Sequence, residues 1–307
     1  MIIDLTDTTS GKINQALVDA RKRAGSPAIG MVLTLVIVTD ETGHYDALKA
    51  ATQCAREHPS RIISVIRRPG REEPRLDAEV RVGGESGPGE TIVLRLYGPL
   101  AMHAESVVLP LLLPDTPVVT WWPANAPEVP AEDPLGALSQ RRVTDAAASP
   151  EPLVELGKRA RGYRPGDTDL AWTRLTPWRS LLAAALDQPH GRITGARVEA
   201  ERDNPSAELL ALWLADRLGV TCERRVSDGP GITEARLVTE LGDIVVSRPD
   251  GRLAVLSVPG QPDRPVALKR RRLPELVAEE LRRLDPDEVY ATALRRMPNP
   301  FVEASLR

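Results

Sequence analysis

The chain has 307 residues, 27% of them charged, and 40 basic against 43 acidic side chains give a formal net charge of −3. That length favours two domains over one small fold, and the balanced charge speaks against an overall cationic nucleic-acid binder. No stretch reaches the roughly 20 apolar residues that span a bilayer, and Met1-Ile-Ile-Asp-Leu-Thr-Asp7 lacks the basic and apolar regions of a secretory signal. Cys54 and Cys222 stand far apart with no metal-ligand spacing, so a reduced, cytoplasmic protein is expected.

In chain order, residues 12–24 place Ile13, Ala16, Leu17 and Ala20 on one side of a helix. Met31–Val38 is a near-continuous apolar, β-branched run, the pattern of a strand buried on both faces. A helix over 45–57 and a strand over 61–66 follow, and strand, helix, strand at this spacing predicts a parallel βαβ unit with a right-handed crossover. Asp77–Val82 and Thr91–Tyr97 alternate, and the glycine-rich connection 83–89 suits an antiparallel hairpin. Residues 100–113 read as a helix ended by Pro114, and 117–122 as another buried strand. The first domain, 1–125, is therefore expected as an open mixed sheet of about five strands.

Residues 126–165 read as a linker and helical crossing, with Pro, Ala and acids in its first part, the carboxylates solvated, and a helix near 151–161. In 166–307, a strand over 193–201 precedes a helix running to about 218, framed by Asn204 as N-cap, Pro205 at N1 and Gly219 just past the end. Strands near 221–226, 233–240, 243–248 and 252–258 suggest an antiparallel meander, and helices over 273–284 and 286–296 follow. The expected class is α/β: an open mixed-sheet N-terminal domain followed by a smaller α+β C-terminal domain.

A dinucleotide site opens with G-x-G-x-x-G after the first strand. Here the turn is Thr39-Asp-Glu-Thr-Gly-His44, acidic and with one glycine, so it repels a pyrophosphate and no cofactor is expected. No His/Cys/Asp set has zinc spacing and no nucleophile–base pair stands out, so neither a metal nor a catalytic residue is assigned. His58 and Arg61, between a helix end and a strand, are candidate phosphate or anion contacts; a His there is equally a partner for the helix dipole. Lys269-Arg-Arg-Arg272 precedes a helix carrying Glu275, Glu279 and Glu280. It reads either as a solvated junction or as a contact for phosphate or an acidic partner.

The most informative stretch is Asp169-Leu-Ala-Trp-Thr-Arg-Leu-Thr-Pro-Trp-Arg179. Thr176-Pro177 reads as an N-cap followed by proline at N1. Trp172, Leu175, Trp178 and Leu182 then share an apolar face with Arg174 and Arg179 near its edge. Trp and Arg anchor partner contacts, but they also build cores and hold phosphates. Trp121-Trp122-Pro123 ends a strand whose successive side chains face opposite ways, so one indole is expected in the core and the other towards a cleft or partner.

The Asp169–Arg179 segment resembles the signature of the glucose-6-phosphate dehydrogenase assembly protein family, OpcA. Arg56–Ile62, Glu105–Val118 with Trp121-Trp122-Pro123, and Asn204–Leu214 are similar to further segments of that family, so the resemblance covers most of the chain. It implies a non-catalytic assembly factor or allosteric activator subunit of glucose-6-phosphate dehydrogenase, in the oxidative pentose phosphate pathway of a bacterial cytoplasm. On that reading Asp169, Trp172, Arg174, Pro177, Trp178 and Arg179, with Trp121 and Trp122, form the partner surface or fix its shape, and no nucleic acid or membrane is engaged. The residues leave open a sugar-phosphate-binding sensor or small enzyme using His58, Arg61 and the signature arginines. Photosynthetic members are linked to thiol-based redox control; Cys54 and Cys222 lie outside any paired motif.

Overall fold

The computed structural model describes residues 1–24, 30–83 and 89–297. It divides into two units that interleave along the chain. The first comprises Met1–Asp145, Gly166–Thr168 and Leu273–Pro286; the second comprises Ala146–Pro165, Asp169–Arg272 and the described part of Asp287–Arg307. The expected domain borders are sequential; this division is not.

The first unit opens with strand β1 (Ile2–Leu5) and helix α1 (Ser10–Ala24), then β2 (Leu33–Thr39), α2 (His44–Cys54) and β3 (Ser60–Arg68). β2 and β3 pair in parallel, Leu33 opposite Ser60, which is the expected βαβ unit. Val36 and Val38 join a cluster with Ile13 and Leu17 of α1. Leu35 and Ile37 are equally buried on the opposite face, where α2 packs. An apolar run without alternation is the consequence of a sheet covered on both sides.

Strands β4 (Arg75–Val82) and β5 (Glu90–Tyr97) pair antiparallel, as the hairpin reading requires; residues 84–88 of its loop lie outside the described residues. The expected helix over 100–113 is broken instead into a 3-10 turn (Gly98–Met102), the short helix α3 (Ala104–Val108) and a second 3-10 turn (Leu109–Leu111). Pro110 explains where α3 ends, because it has no N–H to donate and its ring crowds the preceding turn; the earlier interruption falls at His103, whose φ of −123° and ψ of 38° are not helical. β6 (Val118–Trp121) and β7 (Arg141–Thr144) continue the sheet, which has eight strands in the order β1-β4-β5-β3-β2-β6-β7-β8, with β8 (Asp167–Asp169) at its edge. The three strands beyond the expected five are short and lie outside the strongly apolar runs.

The proline- and acid-rich segment after Pro123 is packed within the first unit. Asp133, expected on solvated surface, pairs with Arg67 at 3.2 Å and accepts from the Leu135 amide at 2.9 Å. A Cβ at Gly136 would lie 1.9 Å from the Pro130 carbonyl oxygen, so only glycine permits this close approach. Helix α8 (Leu273–Arg282) completes the unit, burying Leu276, Val277 and Leu281.

The second unit is a six-stranded sheet with helices. Helix α4 (Pro152–Gly162) precedes the signature, whose helices are α5 (Leu170–Thr173) and α6 (Thr176–Ala185). β9 (Ile193–Ala200) is followed by helix α7 (Pro205–Leu218), which packs against it. The α7 ends match their sequence signals: the Asn204 side chain accepts from the Ala207 amide at 2.9 Å, and Gly219 takes a left-handed φ of 65°. Asn204→Ala should cost about 1 kcal/mol in urea unfolding, the usual worth of such a cap; an unchanged midpoint would show that the cap bond contributes nothing here.

β10 (Cys222–Val226) pairs in parallel with β9, whereas β11 (Ile232–Thr239), β12 (Ile244–Ser247), β13 (Ala254–Ser257) and β14 (Arg264–Val266) form the antiparallel meander. Helix α9 (Glu288–Arg295) lies on α7.

Candidate functional site

The signature is built into the core of the second unit. Asp169 is fully buried; its carboxylate accepts from the Ala171 amide at 2.8 Å, capping α5, and from the Ala146 amide at 2.9 Å. Trp172 is 1% exposed, donates from Nε1 to Asp287 Oδ2 at 2.9 Å, and lies 5.7 Å from the Tyr290 ring. The other oxygen of Asp287 accepts from the Val289 and Tyr290 amides, capping α9. Arg179 stacks on the same indole: its guanidinium carbon sits 3.8 Å from the Trp172 ring centroid.

Trp172, Leu175, Trp178 and Leu182 all belong to the second unit's apolar cluster, as their spacing requires. Pro177 occupies the first turn of α6, but Leu175 holds the N-cap position and Thr176 Oγ1 accepts instead from Arg179 Nη2 at 3.2 Å. Arg174 is half-buried.

Arg174 and Trp178 also line a cavity of about 510 Å³ whose walls all belong to the second unit. Ser206, in the first turn of α7, lines it with Glu201, Arg248 and Arg270. Arg248 is 5% exposed. It donates from Nη1 to the Leu268 carbonyl at 2.7 Å and from Nη2 to the Ile232 carbonyl at 3.4 Å, while its buried Nε has no partner. No carboxylate pairs with it among the described residues. Burial, and then the nearby Arg270, hold this guanidinium's pKa below its ordinary value. The basic run 269–272 borders the same space through Lys269, Arg270 and Arg271, and Arg271 donates to the Thr173 carbonyl. Lys269, Arg270 and Arg272 are exposed, as a solvated junction requires, and three of the four residues also border this cavity.

His58 and Arg61 lie in the first unit. Arg61 is 5% exposed; Nε and Nη2 reach Glu90 Oε2 at 3.0 and 2.8 Å, and Nη1 donates to the Leu111 carbonyl at 2.6 Å. Its donors are thus engaged within the unit. His58 is half-buried after the end of α2, with its amide on the Cys54 carbonyl at 2.9 Å. Trp121 and Trp122 are both buried, at 0% and 2% exposure, rather than divided between core and cleft. Trp121 ends β6, an interior strand between β2 and β7, while Trp122 lies just past the strand and joins the first unit's apolar cluster, so both indoles are enclosed.

The turn after β2 has a definite electrostatic arrangement. Asp40 Oδ1 accepts from the amides of Thr42 and Gly43 at 3.0 and 2.8 Å and from the Thr42 hydroxyl at 2.7 Å. The Thr42 hydroxyl, then the Gly43 amide, lower the pKa of Asp40. Amides that could face a pyrophosphate are already occupied by a carboxylate.

Both cysteines are free thiols with pKa pushed up to about 12, mainly by burial; the charge of Glu57 adds to the effect at Cys54. The folded chain keeps protons that an unfolded thiol releases near pH 8.5. The thiols therefore favour folding below about pH 8.5, and that contribution is lost as pH rises towards 12. Because the thiolate is the reactive form, an alkylating reagent at pH 8 should label the native protein far more slowly than the urea-unfolded chain. Equal rates would contradict this environment.

Arg248 and Ser206 escaped the sequence reading. The available signal was parity: Ile244 and Val246 face inward on β12, and Arg248 continues the same face one step beyond.

Fold and site together define a mixed α/β protein of two units, with an aromatic–arginine segment packed into one of them. The chain belongs to the glucose-6-phosphate dehydrogenase subunit family, OpcA: residues 51–161 match its N-terminal domain and residues 165–294 its C-terminal domain. Among relatives, the OxPP cycle protein OpcA of Nostoc punctiforme is 28% identical over 188 residues, covering 55% of this chain and 40% of that protein. Its counterpart in Synechococcus elongatus is 32% identical over 119 residues, covering 36% and 26%. The matched region spans less than half the length of these curated relatives. A solved 3-ketoreductase from Actinomadura kijaniata, KijD10, superposes over 86% of this chain and 94% of its own, with a TM-score of 0.47 and 11% identity, too low to carry an argument. Among the described residues no helix is long and apolar enough to cross a membrane.

Proposed function

We propose that the chain is a non-catalytic partner of glucose-6-phosphate dehydrogenase in the cytoplasm, promoting its assembly or activating it allosterically by binding one state of the enzyme in preference to another. The two domain matches, which together reach from residue 51 to residue 294, carry this reading. The occupied amides of the Asp40 turn support a role without a dinucleotide. Burial of Trp172 and Trp178 supports a division of labour within the signature. Asp169 and the two indoles fix the segment's shape; Arg174, Pro177 and Arg179, all half-buried, meet the partner. Trp121 and Trp122 act on the first unit's shape in the same way.

A tenfold preference requires only about 1.4 kcal/mol of differential binding, within the reach of one arginine anchor. The test is titration of this protein into purified glucose-6-phosphate dehydrogenase of the same organism, with initial rate and complex mass recorded together. A raised rate or a larger enzyme assembly is expected, and a change in neither overturns the proposal. Arg174→Ala should weaken the association roughly tenfold. Unchanged association in both Arg174→Ala and Arg179→Ala would remove the signature from the interface.

A further inference from the structure

A cavity bordered by several cations suggests an anionic ligand only if some of its positive charge is built in and uncompensated. Arg248 meets that condition. It is 5% exposed, lines the cavity, has no carboxylate partner among the described residues, and leaves its buried Nε without an acceptor. Its two carbonyl contacts satisfy hydrogen bonds, and the field of Asp250 and the Trp178 ring 5.1 Å from its guanidinium carbon offset only part of the charge; a buried charge without an ion-pair partner is costly unless something compensates it. Arg270, an exposed side chain with no ion pair among the described residues, adds positive charge at the cavity's edge instead of relieving it.

A second, independent source of positive potential enters the same space. Ser206 stands in the first turn of α7, a helix of 14 residues, where amide N–H groups lack intrahelical acceptors and the dipole favours an anion. Pro205 offers no N–H, and the Asn204 side chain takes the Ala207 amide. The Ser206 hydroxyl and amide are thus the first-turn donors beside the cavity.

We infer that this cavity is a binding site for a small phosphate-bearing anion, held by Arg248, Arg270 and the N-terminus of α7 at Ser206. A phosphate suits a guanidinium fork and a helix N-terminus together, because each presents N–H donors that its several oxygens can accept simultaneously. The volume of about 510 Å³ lies in the range of small-molecule sites and exceeds what one inorganic ion fills. The carboxylates of Glu201 and Asp203 line the same cavity and can accept from hydroxyl groups of an attached polyol. Arg174, assigned above to the partner, also lines this cavity, but the test is separate from the partner proposal because the chain alone should bind.

The test is calorimetric titration of the full chain, without any dehydrogenase, with inorganic phosphate and with a hexose 6-phosphate at low ionic strength. Saturable binding is expected for at least one. Tighter binding of the hexose phosphate would identify an ester as the ligand, and equal binding would identify free phosphate. Arg270→Ala should weaken it roughly tenfold, as loss of a charge-assisted hydrogen bond does. Ser206→Glu, which places a carboxylate at the helix start, should abolish it. Arg248→Gln should also abolish it; because that side chain is buried, its result counts only if thermal unfolding shows a folded protein, and the other two variants decide otherwise. No saturable binding of either ligand, or binding unchanged in both Arg270→Ala and Ser206→Glu, overturns the inference.

Discussion

Trp172→Ala is expected to destabilise the protein by about 3–5 kcal/mol in urea unfolding, the range for removing a large buried aromatic side chain. Three losses coincide. The indole leaves a void beside Tyr290, Arg179 loses the ring beneath its guanidinium, and Asp287 Oδ2 loses its donor. Asp287 also caps α9, so the disturbance should reach that helix. Trp172→Phe keeps a ring against Tyr290 but cannot donate to Asp287, and should cost distinctly less. A change below about 1 kcal/mol for the alanine variant would mean that the segment is not held by its indole.

Glu90→Ala should be comparably severe, for a different reason. Glu90 is 4% exposed and receives both Arg61 and Arg21, the latter through Nη2 at 2.9 Å. Removing the carboxylate leaves Arg61 as a buried cation held only by the Leu111 carbonyl, and breaking a buried pair from one side typically costs about 3–5 kcal/mol. Replacing both partners with apolar residues of similar size, as in Arg61→Met with Glu90→Leu, should cost less than Glu90→Ala alone. If the double variant is the less stable, the ion pair itself holds this region and the desolvation argument fails. Urea unfolding of the three proteins makes the comparison.

Local signals translated well where a residue's role depends on its immediate neighbours. Asn204, Pro205 and Gly219 marked both ends of α7, and the unbroken run through Leu35 and Ile37 announced a strand covered on both sides. The spacing of Trp172, Leu175, Trp178 and Leu182 placed one face of the signature in a core. Long-range partners were not legible. Arg61 has the type and position of an anion contact, but a carboxylate 29 residues away engages it. Nothing local marks Arg248, because its burial depends on how β12 meets α6 and the loop after β14. Charge pattern alone cannot separate a cation that is neutralised from one that is not; only the folded neighbourhood does.

The interleaving of the two units has a consequence for synthesis. Arg141 near the middle of the chain is 3% exposed and pairs with Glu280, and Cys54 donates to the Pro274 carbonyl at 3.1 Å. The first unit therefore draws part of its core from α8, which a ribosome makes only after nearly all of the second unit. Domains that are contiguous in sequence can finish folding one after another as the chain emerges. Here the half translated first must wait, incomplete, for residues near the far end, and a chain released early would leave a buried arginine without its counter-charge.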